Sequence, residues 1–295
     1  MSSSRHPIAL DIEQQVGRGG RLLATVMGLP LVDGIFPVLV LAGALSTWMG
    51  VLEVGLLVFG GSATVAVVLA ELEGGPRQQA RSVLIIGAVL MPIALVEAAL
   101  APTIAGLVEL GTLERFAGLV ILAIAAQTAS ARIGEYLPRP AVIVVLGLLA
   151  SLDPAGATLV TAIEPGVLLR AAATTGVGIG FALAVALASP WLRNAVDIDR
   201  FRFGSAVALG VLALSVLGVM PTDAPVALAV LAVTALLSFD PENARTRHTE
   251  YRPDAVDLTA AFADGGASQG VAADEQTDEG AAVEYEPDQE RAPWL

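Results

Sequence analysis

The chain has 295 residues, 55% of them hydrophobic and only 15% charged, with a mean hydropathy of +0.72. A soluble domain carries about 25% charged residues, so most of this chain is expected in lipid. The lack of Cys excludes disulfides, thiolate metal sites and Cys nucleophiles, and a net charge of −13 excludes a basic nucleic-acid surface.

Residues 1–21 are expected to form a cytoplasmic leader. Ile8, Leu10, Ile12 and Val16 suit either a short interfacial helix or a mobile lead-in. No apolar core follows Arg5 closely and no small-residue cleavage site appears, so no secretory signal is predicted. Eight apolar runs follow, at 22–45, 50–70, 82–101, 113–131, 140–163, 166–190, 204–220 and 224–239. About 20 apolar residues cross a bilayer, with about 17 as a lower limit, so the last two runs are the weakest spans. The predicted fold is all-α: a polytopic membrane helix bundle of about eight transmembrane helices.

Arginine placement tests that count, because the chain has no Lys and all sixteen basic residues are Arg. If every run spans, Arg5, Arg18, Arg21, Arg77, Arg81, Arg132, Arg139, Arg193, Arg200, Arg202 and the four Arg of the tail fall on one side. Only Arg115 falls on the other, and Arg170 lies inside a span. The positive-inside rule then places both termini in the cytoplasm of a multi-pass cell-membrane protein. Residues 240–295 differ in kind, with fourteen Asp and Glu against four Arg. They are expected to be a disordered acidic tail, either a solvated surface or an arm that recruits a partner.

An internal repeat is expected, with four-helix halves at 22–131 and 132–239. Arg21 precedes Asp33 by 12 residues and Arg139 precedes Asp153 by 14. Helix breakers follow each Asp: Gly34 and Pro37 in one half, Pro154 and Gly156 in the other. The next run in each half carries small and hydroxyl-bearing residues, Gly60-Gly61-Ser62-Ala63-Thr64 and Thr174-Thr175-Gly176-Val177-Gly178. An even number of spans per half makes the two halves parallel. Interrupted helices at corresponding places are the sequence pointer to a transport site.

The candidate site follows from the cost of charge in lipid. A carboxylate at the bilayer centre costs about 2.5–3.5 kcal/mol on insertion scales, and this chain places Asp33 and Asp153 near the middle of two apolar runs. A carboxylate beside loosened backbone carbonyls, with Ser62, Thr64, Thr174 and Thr175, suits Na⁺, H⁺ or a hard divalent ion. The competing reading is structural, with each Asp capping a broken helix. Arg170 is read as a partner for Glu164, Asp153 or an anionic substrate, or as a side chain snorkelling to the interface. Glu53, Glu97, Glu109, Glu114, Glu164 and Asp223 give the outer face an acidic cast that concentrates cations or reflects a salt-adapted surface. Gln127, Thr128 and Ser130 are read as hydrogen-bonding glue between helices.

The only histidines, His6 and His248, lie outside the apolar runs. No haem or histidine metal site is therefore expected in the membrane, and no cofactor is predicted. No phosphate loop with Lys and no G-x-S-x-G elbow occurs. Two intramembrane aspartates raise the aspartyl protease class, whose intramembrane members carry Gly-x-Gly-Asp. The contexts Leu31-Val32-Asp33 and Ser151-Leu152-Asp153 depart from it, and the Asp-rich loops of polytopic prenyltransferases are missing, so an enzyme is not expected.

The segment Gly28-Leu29-Pro30-Leu31-Val32-Asp33-Gly34-Ile35-Phe36-Pro37, followed by Phe59-Gly60-Gly61-Ser62-Ala63-Thr64, resembles an uncharacterised haloarchaeal multi-spanning membrane protein family, a domain of unknown function. The likeness covers about residues 7–240 and implies a haloarchaeal cytoplasmic membrane but no activity. The acidic excess without Lys is similar to proteins of salt-loving cells. Two functions are carried forward. One is a secondary transporter or permease for a small cation or a cation-coupled solute, using the intramembrane aspartates. The other is a non-transport scaffold or regulatory membrane protein whose tail recruits a cytoplasmic partner.

Overall fold

Wherever an apolar run is shielded from water its backbone N–H and C=O groups must pair internally, which a helix does within one segment. The computed structural model describes residues 7–153, 164–220 and 225–240, with side chains described from residue 17 onward except at 131. These residues belong to one compact unit, within 1–244. The acidic tail, Asp223, and the latter part of the 140–163 run lie outside them.

Helix α1 runs Pro7–Val32, with a kink at Gly17 where φ is 57°. Helix α2, Ile35–Leu41, continues it after a 41° bend. Gly34 makes that bend: its φ of 72° is left-handed, which a residue without Cβ adopts at no steric cost. Helix α3, Trp48–Val54, runs into a π turn at Gly55–Phe59, and α4, Ser62–Ala66, runs into a second at Val67–Glu71. The two pieces, Trp48–Phe59 and Ser62–Glu71, meet at 49° across Gly60-Gly61. A glycine pair next to π turns is a recognised cause of such a kink.

Then follow α5, Pro76–Ala105, α6, Leu110–Ala129, the short α7, Ala131–Tyr136, and α8, Pro140–Ser151. Helices α9, Pro165–Ala195, α10, Ile198–Val216, and α11, Val226–Leu237, complete the described elements. Helices α5, α6 and α9 are long and apolar enough to cross a membrane, and the count rises to as many as five if each bent pair is one span. The expectation of eight is thus met in part. Helices α8 and α11 have only 12 residues each, and α10 carries Asp199, Arg200 and Arg202 near its start.

Helix α5 packs along α9 and against α1 and α2, whereas α6 packs along α10 and against α8 and α2. Close approaches mark these seams: Gly87 of α5 faces Ile179, Gly118 of α6 faces Leu217, and Gly204 of α10 faces Thr234 of α11. The halves do not reproduce one another. In the second half α10 packs on α11, while the corresponding α5 and α6 seek other partners. The second run is broken at Gly60-Gly61, but α9 passes unbroken through Thr174–Gly178. Both sequences are small and hydroxyl-bearing; only the first also has two adjacent glycines next to a π turn.

Two arginines expected on the cytoplasmic side close helix ends. Arg193 donates to the Leu72 carbonyl at 2.9 Å and Arg202 to the Thr128 carbonyl at 2.9 Å. The last carbonyls of a helix have no internal partner and carry partial negative charge, so a guanidinium there serves both needs. At the other end of α6, Glu109 is the N-cap and accepts from the Thr112 N–H at 3.0 Å. The Thr112 side-chain bond, aided by nearby backbone N–H groups and by Arg115, holds this carboxyl below its ordinary 4.5. A depressed folded value means the cap's contribution is present above about pH 4.5 and is lost as the pH falls through the folded value. Acid titration of unfolding should show the gap between the parent and Glu109→Gln narrowing over that window.

Candidate functional site

The two bent helix pairs meet. Phe36 lies just after the first break and Phe59 just before the second; their rings pack edge to face with centroids 5.4 Å apart, and both are buried. Thr64 donates its hydroxyl proton to the Phe59 carbonyl at 2.8 Å, satisfying an oxygen that the second break releases from the helix ladder. Helix α9 seals this side: Gly178 lies against Phe59 and the Gly55 carbonyl, and Gly60 against Phe181.

Asp33 sits at the first break. Its N–H completes the last turn of α1 on Leu29 at 2.9 Å, and its side chain is half-buried. Gly34 next to it faces Val144 of α8, with a built Cβ 3.3 Å from the Val144 methyl. A carboxylate at a helix break, inside the bundle, is therefore present.

Asp153 is not its counterpart. Helix α8 ends at Ser151, and Leu152 and Asp153 are extended and exposed. Asp153 N–H bonds to the Leu107 carbonyl at 3.0 Å and Glu109 N–H to the Ser151 carbonyl at 2.6 Å, around a bridge between Val108 and Leu152. Asp153 thus belongs to the α5–α6 turn. From Val144, level with the Asp33 break, to Ser151 is about 10 Å along the helix axis at about 1.5 Å per residue. The expected helix break beside Asp153 is there, but it falls at an exposed helix end rather than at a second half-buried mid-span break. Pro154 disfavours helical backbone at the residue before it, and the helix stops short of that point.

The hydroxyl residues do not converge on Asp33. Thr174 donates to the Arg170 carbonyl at 2.8 Å and Thr175 to the Ala171 carbonyl at 3.0 Å, both within α9. Ser62 is buried at the start of α4, beside the second break. Arg170 reaches the Leu45 carbonyl at 3.5 Å, in the linker between α2 and α3. Among the described residues no three His, Asp or Glu side chains gather as a metal cage.

Sequence reasoning missed a polar cluster at the other end of α9. Gln79, wholly buried, donates to the Leu72 carbonyl at 2.8 Å and the Gly74 carbonyl at 3.4 Å, and accepts from the Ser189 hydroxyl at 2.7 Å. With Arg193 on the same Leu72 carbonyl, it ties the 72–75 loop to α9. The one available signal was a Gln in an otherwise arginine-flanked helix start, which reads equally well as surface. A separate concavity of about 550 Å³ between α10 and α11 is lined by Phe203, Val207 and Leu237 together with Asp199, Arg200 and Thr234.

The described helices thus define an all-α protein with three to five helices fit to cross a bilayer. Residues 90–217 match the model of a family of unknown function (DUF5794). That stretch runs from within α5 into the turn after α10 and excludes both breaks. No curated protein and no solved structure matches the chain.

Proposed function

We propose that the chain is a multi-pass membrane protein that moves a small cation, or a solute coupled to one, past the Asp33 break. The observation that carries this reading is the meeting of two broken spans at Phe36 and Phe59, with a carboxylate at one break. Discontinuous helices inside a bundle leave backbone groups and helix ends turned toward a ligand rather than toward each other, and transporters use them so. Eight passes with both termini cytoplasmic are part of the proposal. In its support, α5 and α9 run antiparallel, and the starts of α10 and the ends of α9 and α11 share one face, where Asp197 N–H bonds the Ser238 carbonyl at 2.8 Å.

The test is flux into proteoliposomes at high salt, with reporters for H⁺, Na⁺, Ca²⁺ and Mn²⁺. The parent should carry at least one of these ions, and Asp33→Asn should lose that flux while keeping the parent's unfolding transition. Equal flux in both proteins overturns the role of Asp33, and no flux in either overturns ion movement for these four.

One observation favours a second reading, a scaffold without transport: the hydroxyls of Thr64, Thr174 and Thr175 are all engaged by neighbouring backbone. In that case the acidic tail recruits a partner, and deleting residues 241–295 abolishes partner capture while leaving the membrane part folded.

A further inference from the structure

Helix α5 shows two faces. Val89, Ile93, Val96 and Leu100 are exposed, while Leu90, Ala94, Ala98 and Ala101 are buried. Glu97 falls on the buried side, three residues after Ala94 and four before Ala101. Its Oε2 is buried and has no hydrogen-bond partner among the described residues. A partly buried carboxylate with one oxygen enclosed and without a donor is costly to ionise.

The antiparallel seam with α9 shows what lies opposite. Gly87 faces Ile179, and the Met91 methyl lies 3.9 Å from a Cβ built on Gly176. Six residues further along each helix, Glu97 and Arg170 stand at the same height. The guanidinium is nevertheless turned to the Leu45 carbonyl at 3.5 Å, the long limit for such a bond. On the elements packed against α5, the other described ionisable side chains are Asp33 at the α1–α2 break, Arg18 and Arg21 near the start of the α1 span, and Arg193 near the end of α9; α2 has none. Gly28 against Leu90 puts Asp33 close to the height of Glu97, but on the side facing Val144. Among the described residues of α9, α1 and α2, Arg170 is thus the cation at that height, and α3, which also packs on α9, carries Glu53.

We propose that Glu97 is a proton-binding site within the bundle and that Arg170 is the counter-charge exchanged for that proton. In the arrangement described, the carboxyl holds the proton and Arg170 holds the Leu45 carbonyl. When the carboxyl O–H breaks and the proton passes to water, the carboxylate draws in the guanidinium, whose bond to Leu45 is given up. The linker at 42–47, which joins the two broken spans, then loses its tie to α9. The inference rests on the transport reading in naming the proton as the coupled ion, but its test does not use flux.

The experiment is infrared difference spectroscopy across a pH titration, on the full chain in lipid nanodiscs. The protonated-carboxyl band should vanish in Glu97→Gln, persist in Asp33→Asn, and persist with a small frequency shift in Glu97→Asp. In Arg170→Gln the midpoint of that band should move to higher pH by about one unit or more, a tenfold change in proton affinity, because the carboxylate has lost its counter-charge. A band unchanged in Glu97→Gln overturns the site, and a midpoint unmoved in Arg170→Gln overturns the exchange. Should Glu97→Gln fail to fold, the frequency shift in Glu97→Asp decides the first point. Proteoliposomes without flux would overturn the transport reading and leave this band in place, so the two failures are distinguishable.

Discussion

Gly178→Leu will prevent the bundle from assembling, while Gly180→Ala, two residues away on the same helix, will leave it as stable as the parent or slightly more so. The two glycines look alike in sequence but stand on different faces of α9. A Cβ at 178 meets the Phe59 Cβ and lies 3.1 Å from the Gly55 carbonyl oxygen; at 180 nothing lies within 4 Å. The neighbours at 178 are backbone or fixed directly to it, so no rotamer change relieves the clash. Overpacking a close-fitted interior costs about 1–3 kcal/mol and occasionally more, and leucine here should exceed the upper figure. At 180 the only change is in helix propensity, worth about 0.5–1 kcal/mol in favour of alanine. Thermal unfolding of both variants in one detergent checks the contrast, and equal melting of the two would mean that α9 does not press on the second break.

Gln79→Leu should cost about 3 kcal/mol, and about half of that should return when Ser189→Ala is added. Gln79 is wholly buried and bonds two carbonyls and one hydroxyl. Leucine leaves the Gly74 carbonyl and the Ser189 hydroxyl without partners, and each buried orphan costs about 1–3 kcal/mol. The Leu72 carbonyl keeps Arg193, so the loss stays short of collapse. Removing the hydroxyl as well eliminates one orphan, and a double-mutant cycle isolates that coupling. If the two losses simply add, Gln79 and Ser189 are not partners.

Some of this was legible in the chain. The runs at 82–101 and 166–190 each fall on a single helix, the run at 113–131 follows α6 as far as Ala129, and the run at 22–45 breaks at Asp33-Gly34, where the breakers stand. The break at Gly60-Gly61 was legible only as a small-residue stretch; its likeness to Thr174–Gly178 suggested a repeat that the helices do not share. In the 140–163 run the break before Pro154 was legible, but that it leaves Asp153 exposed against the α5–α6 turn was not, because composition does not say what a helix end packs on.

The sequence by itself determined that the chain is helical, that most of it suits lipid, and where Asp33 would interrupt a span. These follow from local causes: apolar content, φ preference and the obligatory pairing of backbone polar groups. Only the tertiary structure decided which residues face one another. It brought the two breaks together at Phe36 and Phe59, sent Asp153 to the α5–α6 turn, joined Gln79 to Ser189 and set Glu97 level with Arg170. The uniformly apolar composition of the long helices is the reason. A soluble helix marks its inner face by the contrast between apolar and polar residues, whereas a helix in hydrocarbon is apolar on every side. Its facing is then set by which small residues let neighbouring backbones approach, a matter of fit between helices distant in the chain.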